Sequence, residues 1–440
     1  MNGTILNLQS TYCAVRRAGL IAVMCACLIF GSAAAAQDGA ASADTPPPAV
    51  PVYSLNGRNV TQFLLLGSDT ANDRNAGRTD VMVVVAVDYD AGTVSMLSIP
   101  RDLYVHIPGH TAYRVNSAFG YGEQEAEGSG YALLIETLRY NLGLDIDYYA
   151  RVNFNGFQRI IDDLGGVDIA VDCGIQDWRL ASPELDPALE ASWQMFTMPV
   201  GLHQFDGATA LWYARSRRTS SDFDRGRRHQ VLLRAVWQRV RALDLFRQIG
   251  DIYPQVLETV ETNIPADVMI GLAAMAQQID TARIASYTFR PNIEVRSWRS
   301  PEGSSVQVIE REAADRLIAQ FFQPPTQSQL VQEEARIEIV NATGVADMAF
   351  VAAERLAWEG FTPTIADASA QPRQVTHLYD LTGQTKGSSV ERLAAILRVE
   401  PEGVTRDPQT DRDVDFCVVL GSSYYACTHN VLPPTAGEGG

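Results

Sequence analysis

The spacing of apolar positions changes several times along this chain, and each change marks an element. Residues 62–69, "QFLLLGSD", form a short apolar run closed by Gly67-Ser68-Asp69, which predicts a strand. Residues 80–102, "DVMVVVAVDYDAGTVSMLSIPRD", read as two apolar strands joined by an Asp-Ala-Gly turn, the pattern of a hairpin. The unbroken run Val81–Val87 fits a central strand buried on both faces. The period then lengthens. Leu133, Leu134, Leu138 and Leu142 predict a helix over 129–142. Phe154, Phe157, Ile160, Ile161 and Leu164 share one face of a helix over 154–164. "GGVDIAV" adds a turn and another strand, and a long helix is expected over 224–244, capped by Asp222 or Asp224. Strands alternating with helices predict an α/β fold over residues 52–322, an α-β-α sandwich around a mixed central sheet.

Proline-rich polar stretches at 37–51 and 323–334 read as linkers. Between the second linker and residue 427 the pattern runs strand, helix, strand, strand, helix, strand, which predicts a small α+β C-terminal domain over 335–427. Residues 428–440 read as a disordered tail. At the other end, Arg16 and Arg17 precede the apolar and small-residue run 18–36. Residues 1–36 are therefore a secretory signal cleaved near Ala36 or an uncleaved signal anchor. Either reading puts the remainder outside the cytoplasm, secreted or membrane-anchored. Cys13, Cys25 and Cys27 fall in this leader, leaving Cys173, Cys417 and Cys427. Cys417 and Cys427 are close in sequence and are the candidate bridge in an oxidising compartment. No cysteine or histidine spacing suggests zinc.

Charge sharpens this picture. The formal net charge of −17 argues against nucleic-acid binding, yet six of the fourteen residues from Arg215 to Arg228 are arginines. Any anion site must be local. Three segments pair arginine with aspartate at strand or helix ends: Asp69, Arg78 and Asp80; Arg101 and Asp102; then Arg215, Arg217, Asp222, Arg225 and Arg228. Arg225 and Arg228 are three apart and share a helical face. Guanidinium groups suit bidentate contact with phosphate oxygens, and two carboxylates at adjacent strand ends suit Mg²⁺, or Mn²⁺. Together they fit a pyrophosphate better than a single carboxylate ligand. The competing reading is that the arginines are solvated or pair with nearby aspartates, as assigned here to Arg218 and Arg227, and that Asp69 and Asp80 cap loops.

At these residues the chain resembles the LytR-CpsA-Psr family of cell-envelope proteins. The resemblance spans about residues 60–245 and runs, in order, through "FLLLGSD", "GRTDVMVVVAVD", "VSMLSIPRDLYV", "RVNSAFGYG", "GLHQFDGATALWYARSR" and "DFDRGRRHQ". The C-terminal domain resembles the LytR-type accessory domain often found in such proteins. The family implies an Mg²⁺-dependent extracytoplasmic phosphotransferase. It moves a phosphate-linked glycopolymer from a polyprenyl pyrophosphate carrier to a peptidoglycan hydroxyl, meeting the membrane surface through its lipid substrate or an anchor. By the resemblance, Asp69 and Asp80 match metal-binding aspartates. Arg78, Arg101, Arg215 and Arg217 match arginines around the pyrophosphate, and Asp222, Arg225 and Arg228 match the next motif. Asp102 is the candidate base, or else orients Arg101. Glutamine commonly follows the arginine matching Arg228; here His229 stands there and Gln230 comes after. A polyprenyl chain needs an apolar tunnel, for which Phe154, Phe157, Ile160 and Ile161 are candidates unless their stripe is ordinary core. A phosphohydrolase of polyprenyl pyrophosphate and a noncatalytic lipid-carrier or wall-binding module are the alternative functions.

Overall fold

The computed structural model describes residues 46–68, 79–182, 184–324, 333–366, 371–383 and 386–427. The leader, Asp69, Arg78 and the proposed disordered tail lie outside the described residues. The chain opens with β1 (Val60–Ser68), β2 (Thr79–Asp88) and β3 (Thr93–Ser98), then a small hairpin of β4 (Tyr104–His106) and β5 (Ala112–Arg114). There follow α1 (Ala118–Glu125), α2 (Gly130–Leu142), β6 (Tyr148–Asn153), α3 (Phe154–Asp163), β7 (Val167–Val171), the hairpin β8 (Ile175–Leu180)–β9 (Trp193–Met198), and β10 (Gly201–Phe205). Next come α4 (Gly207–Arg215), α5 (Asp222–Ala242), α6 (Ile249–Thr259), β11 (Glu261–Thr262), α7 (Ala266–Gln278) and β12 (Ile284–Thr288). A hairpin of β13 (Val295–Arg299) and β14 (Ser305–Ile309) and helix α8 (Arg311–Phe321) complete this part.

Six strands form the central sheet in the order β11-β6-β1-β2-β3-β12. It is mixed: β1 runs antiparallel to β2 and parallel to β6, and β12 joins β3 in parallel. Alternation along the strands splits their side chains between two cores. Leu64, Leu66, Met82 and Val84 pack with Phe119, Leu134 and Phe321 from α1, α2 and α8. Val81, Val83 and Leu65 face Leu233 and Trp237 of α5 and Met275 of α7. This is the α-β-α sandwich read from the sequence, with both faces of the apolar run on β2 covered. A third core joins α3, α4 and α5 to β7 and β10 around Ile161, Phe205, Tyr213 and Leu232.

The C-terminal part comprises β15 (Ile337–Asn341), α9 (Met348–Trp358), β16 (Thr364–Ile365), β17 (His377–Asp380), α10 (Gly387–Leu397), β18 (Val404–Arg406) and β19 (Phe416–Leu420). Its sheet order is β16-β15-β19-β17-β18. Strand β18, three residues long, is additional to the pattern expected from the sequence. The expected Cys417–Cys427 bridge does not form. Cys427 instead bonds Cys173 across a separation of 254 residues, and Cys417 is free. Cys417 lies on β19, paired with Glu338 and Tyr379 in the sheet, so its sequence proximity to Cys427 does not make it a partner. The disulfide ties the C-terminal part to the segment after β7. Nearby, Arg227 and Arg234 of α5 stack on the Trp358 ring at 4.8 and 5.7 Å. Among the described residues, no helix is long and apolar enough to cross a membrane.

Candidate functional site

Three chain segments meet where β1 and β3 end and β2 and α5 begin. Asp80 stands near the start of β2, Arg101 and Asp102 in the turn after β3, and Asp222 and Arg225 in the first turn of α5. Ser221, rather than Asp222 or Asp224, caps this helix. Its hydroxyl accepts from the Asp224 amide at 3.2 Å, and the Asp224 carboxylate accepts from the Ser221 amide at 2.8 Å. The cap leaves Asp222 free to turn toward Arg101. Helix α5 sits close to β3, because Gly226 has no side chain to hold it off: a Cβ there would stand 3.2 Å from that of Ser98.

Arg101 is the hub. It contacts Asp80 at 2.9 Å, Asp102 at 3.5 Å and Asp222 at 3.7 Å. Burial lowers the pKa of Arg101, but the three carboxylates outweigh it and the net shift is upward. Asp222 also pairs with Arg225 at 3.0 Å. Arg225 is 5% exposed, and burial together with the charges of Arg101 and Arg217 lowers its pKa to about 10. Asp102 bridges Arg101 and Arg114, the latter at 3.3 Å. Its pKa is raised, by burial first and then by the neighbouring Asp222 carboxylate, against the pull of the two arginines.

A cavity of about 1090 Å³ opens beside this cluster. Its volume is at the upper end of the range for ligand sites, about 300–1,000 Å³. One part is apolar, walled by Val83, Phe154, Phe157, Phe196, Leu211 and Leu233. The polar part carries Asp80, Arg215, Arg217, Arg225 and His229. Arg215 ends α4 and lies over the Phe154 ring at 4.5 Å. Arg217 follows in a loop whose backbone amide donates to Asp177 at 2.7 Å, and its side chain is exposed. Phe154 and Phe157 line the cavity, but Ile160 and Ile161 do not: Ile161 is buried in the third core. The turn of α3 points its first two aromatic positions at the cavity and the next pair away from it.

Arg228 also differs from expectation. It is 5% exposed and donates to the carbonyls of Tyr213, at 2.6 Å, and Ser216, and to the Ser220 hydroxyl at 2.9 Å. It therefore holds the loop that carries Arg215 and Arg217, and does not line the cavity. Arg227, read as solvated or paired, is paired: it meets Asp172 beneath Trp358. His229, named from the sequence only as a departure from the family motif, lies four residues after Arg225, so the two share one helical face. Its Nε2–H donates to the Ala214 carbonyl at 3.0 Å, and burial, with Arg225 nearby, lowers its pKa to about 3, so the ring is neutral. Gln230, fully buried, donates to the Ser98 hydroxyl and the Tyr287 carbonyl, both at 2.8 Å, binding α5 to β3 and β12. Asp177 carried no sequence signal at all.

Two hydroxyls at the strand ends bear on metal binding. Ser68 and Thr79 are register partners on β1 and β2, both buried, and among the described residues neither hydroxyl oxygen has a hydrogen-bond partner. Ser68 lines the cavity with Asp80. The Asp80 carboxylate, with Ser68 on the same cavity wall, offers hard oxygen donors of the kind Mg²⁺ accepts. Among the described residues no group of three or more His, Cys, Asp or Glu side chains could hold a metal. A site here would rest on few protein carboxylates, as Mg²⁺ sites with substrate phosphates usually do.

Comparison with known proteins adds three findings. The sequence model of the LytR_cpsA_psr family matches residues 27–322, and that described as LytR cell envelope-related transcriptional attenuator matches residues 334–424. A Bacillus subtilis (strain 168) protein named polyisoprenyl-teichoic acid–peptidoglycan teichoic acid transferase TagT is 29% identical over 243 residues, 53% of this chain and 70% of its own length. Regulatory protein MsrR of Staphylococcus aureus (strain COL) is 31% identical over 223 residues, 49% of this chain and 61% of its own. The crystal structure of B. subtilis TagV covers 60% of this chain and 96% of its own, at 24% identity and a TM-score of 0.49.

Proposed function

Because this chain belongs to the LytR-CpsA-Psr family, with its family match spanning residues 27–322, we propose that it is an extracytoplasmic glycopolymer phosphotransferase. Its donor is a phosphate-linked glycopolymer on polyprenyl pyrophosphate, and its acceptor is a peptidoglycan hydroxyl. Residues 1–36 export it, as a cleaved signal or an anchor. One observation carries the reading: a single cavity of about 1090 Å³ is lined both by apolar side chains, among them Phe154, Phe157 and Leu233, and by Arg215, Arg217, Arg225 and Asp80. A prenyl chain and a pyrophosphate joined end to end have that polarity.

The steps follow from the side chains. The apolar walls take the prenyl chain and exclude water. Arg101, Arg215, Arg217 and Arg225 hold the pyrophosphate oxygens and offset the charge that grows on the leaving phosphate. Asp80, with Asp69, would hold Mg²⁺, near Ser68, which lines the same cavity. That ion, when bound, supplies Lewis-acid stabilisation of phosphate charge. The acceptor oxygen attacks the sugar-linked phosphorus, the bond to the bridging oxygen breaks, and polyprenyl phosphate leaves with the electron pair. Asp102 takes the acceptor proton. Its raised pKa makes it a stronger base than an ordinary carboxylate.

The test is release of polyprenyl phosphate from a polyprenyl-pyrophosphate-linked saccharide, with Mg²⁺ and with EDTA. The reading predicts metal-dependent release that falls by about 10²-fold or more in Asp80→Ala and Arg101→Ala. Undiminished release in both variants would remove these residues from the mechanism.

A further inference from the structure

We propose that the surface beyond Asp102 is a saccharide subsite that seats the acceptor glycan, with Trp298 and Tyr104 as its stacking platform and Glu302 and Arg114 as its polar rim. The proposal rests on the transferase reading and adds where the acceptor binds.

Asp102 has two sides. Arg101, which contacts it at 3.5 Å, also reaches Asp80 at the polar end of the cavity. Arg114, which contacts it at 3.3 Å, stands on β5 directly across from Tyr104 on β4. The Tyr104 ring meets Trp298 edge-on, with centroids 5.4 Å apart. Trp298 stands on the β13–β14 hairpin, and this hairpin is fastened to the Arg101–Asp102 turn. The Gln307 amide donates to the Asp102 carbonyl at 2.9 Å, and Arg114 donates to the Ser305 carbonyl at 3.2 Å. The hairpin tip carries Glu302, which is exposed, and Trp298 is 38% exposed. Burial first, and then the charge of Glu302, raise the pKa of the Tyr104 phenol. Arg114, Tyr104 and Trp298 do not line the apolar cavity.

A pyranose ring has an apolar C–H face and a rim of hydroxyls. Aromatic rings that are half exposed and carry polar edges match such a face, and a carboxylate and a guanidinium match the rim. Transfer in line puts the incoming oxygen on the side of phosphorus opposite the leaving oxygen. With the prenyl phosphate in the cavity, the sugar that bears the attacking hydroxyl arrives on the far side of Asp102, where the platform is. The rim carries both signs of charge, Glu302 with Arg114 and the exposed Arg299, so the assignment to the acceptor and not to the donor chain rests on the direction of attack.

The experiment has two arms on the full secreted chain. Calorimetric titration uses a β-1,4-linked N-acetylglucosamine tetramer as probe. Transfer kinetics use polyprenyl-pyrophosphate-linked saccharide and soluble peptidoglycan fragments. Trp298→Ala and Glu302→Gln are both at exposed positions, and their urea midpoints serve as the folding control. The expected result is tetramer binding by the wild type, weakened about tenfold or more in each variant. KM for the peptidoglycan fragment should rise by a similar factor while donor affinity holds. Absence of tetramer binding by the wild type, or variants with unaltered acceptor KM and tetramer affinity, would overturn the subsite. A protein that binds the tetramer through Trp298 but modifies no acceptor keeps the subsite and refutes the transferase reading.

Discussion

Arg228→Leu separates a structural arginine from a ligand-binding one. The native guanidinium is 5% exposed and serves three acceptors: the Tyr213 and Ser216 carbonyls and the Ser220 hydroxyl. Leucine leaves the buried Tyr213 carbonyl without this donor and the Ser216 carbonyl with only the long contact from the Ser220 hydroxyl at 3.5 Å. Each unsatisfied buried group costs about 1–3 kcal/mol. The stacking of Arg228 on Tyr213, at 5.3 Å, is lost as well. Against this, removing a buried charge recovers some desolvation energy, which is the cause of the lowered pKa of Arg228. The net expectation is a loss of about 3–5 kcal/mol. With a urea m-value of about 3 kcal/mol/M or more for a chain of this size, the midpoint falls by about 1 M. Arg217→Ala is the comparison: its exposed side chain should change stability by about 0.5 kcal/mol or less while weakening donor binding. The assay is urea unfolding by tryptophan fluorescence, disulfide intact, beside binding of polyprenyl pyrophosphate. If Arg228→Leu keeps the wild-type midpoint and loses donor affinity as Arg217→Ala does, the assignment of Arg228 to the loop is wrong.

Further predictions concern pH, the disulfide and the cavity. His229 is held neutral, with its pKa lowered to about 3, mainly by burial, whereas in the unfolded chain it protonates near its ordinary value. The unfolded state therefore binds the extra proton between those pH values, and stability falls as pH drops below about 6.5, by about 1 kcal/mol per pH unit from this group. Urea midpoints measured from pH 7 to pH 5 should show a smaller decline in His229→Asn, and parallel slopes would contradict the assignment. The Cys173–Cys427 bond closes a separation of 254 residues, for which chain entropy gives about 5 kcal/mol as an upper value. Dithiothreitol or Cys173→Ser should make the C-terminal part the first to be cleaved in limited proteolysis; unchanged cleavage would mean that the noncovalent contacts, Arg227 and Arg234 on Trp358 among them, suffice to hold it. Leu211→Trp should fill the apolar part of the cavity and lower affinity for long-chain prenyl pyrophosphate while sparing farnesyl pyrophosphate, whereas equal affinity for both would place the prenyl chain elsewhere.

Much of the fold was legible because its strands and helices bury continuous apolar faces. The run Val81–Val87 has no polar face, and it lies between two layers of helices. Less legible was the hairpin β8–β9, whose strands face solvent on one side and are split by an acidic loop. Its Phe196 nonetheless walls the cavity. The site divides in the same way. Asp80, Arg101, Asp102, Asp222 and Arg225 sit at element ends, where a sequence reader looks for chemistry. Arg228 has the same charge and lies on the same helix, yet its role is set by carbonyls 12 and 15 residues away. Burial of a charged group depends on partners that spacing does not reveal. The same holds for Cys427, whose partner was the distant cysteine and not the near one.

The central claim is that Arg101 and the residues around it pass a sugar phosphate to a wall hydroxyl. The direct measurement uses a donor labelled with ³²P at the sugar-linked phosphorus, incubated with Mg²⁺ and soluble peptidoglycan fragments. The account predicts that the label moves to the peptidoglycan fragment, with polyprenyl phosphate left unlabelled, and that Arg101→Ala abolishes the movement. Label recovered as free sugar phosphate with no labelled fragment would make the protein a hydrolase, and label remaining on the donor would deny it catalysis altogether.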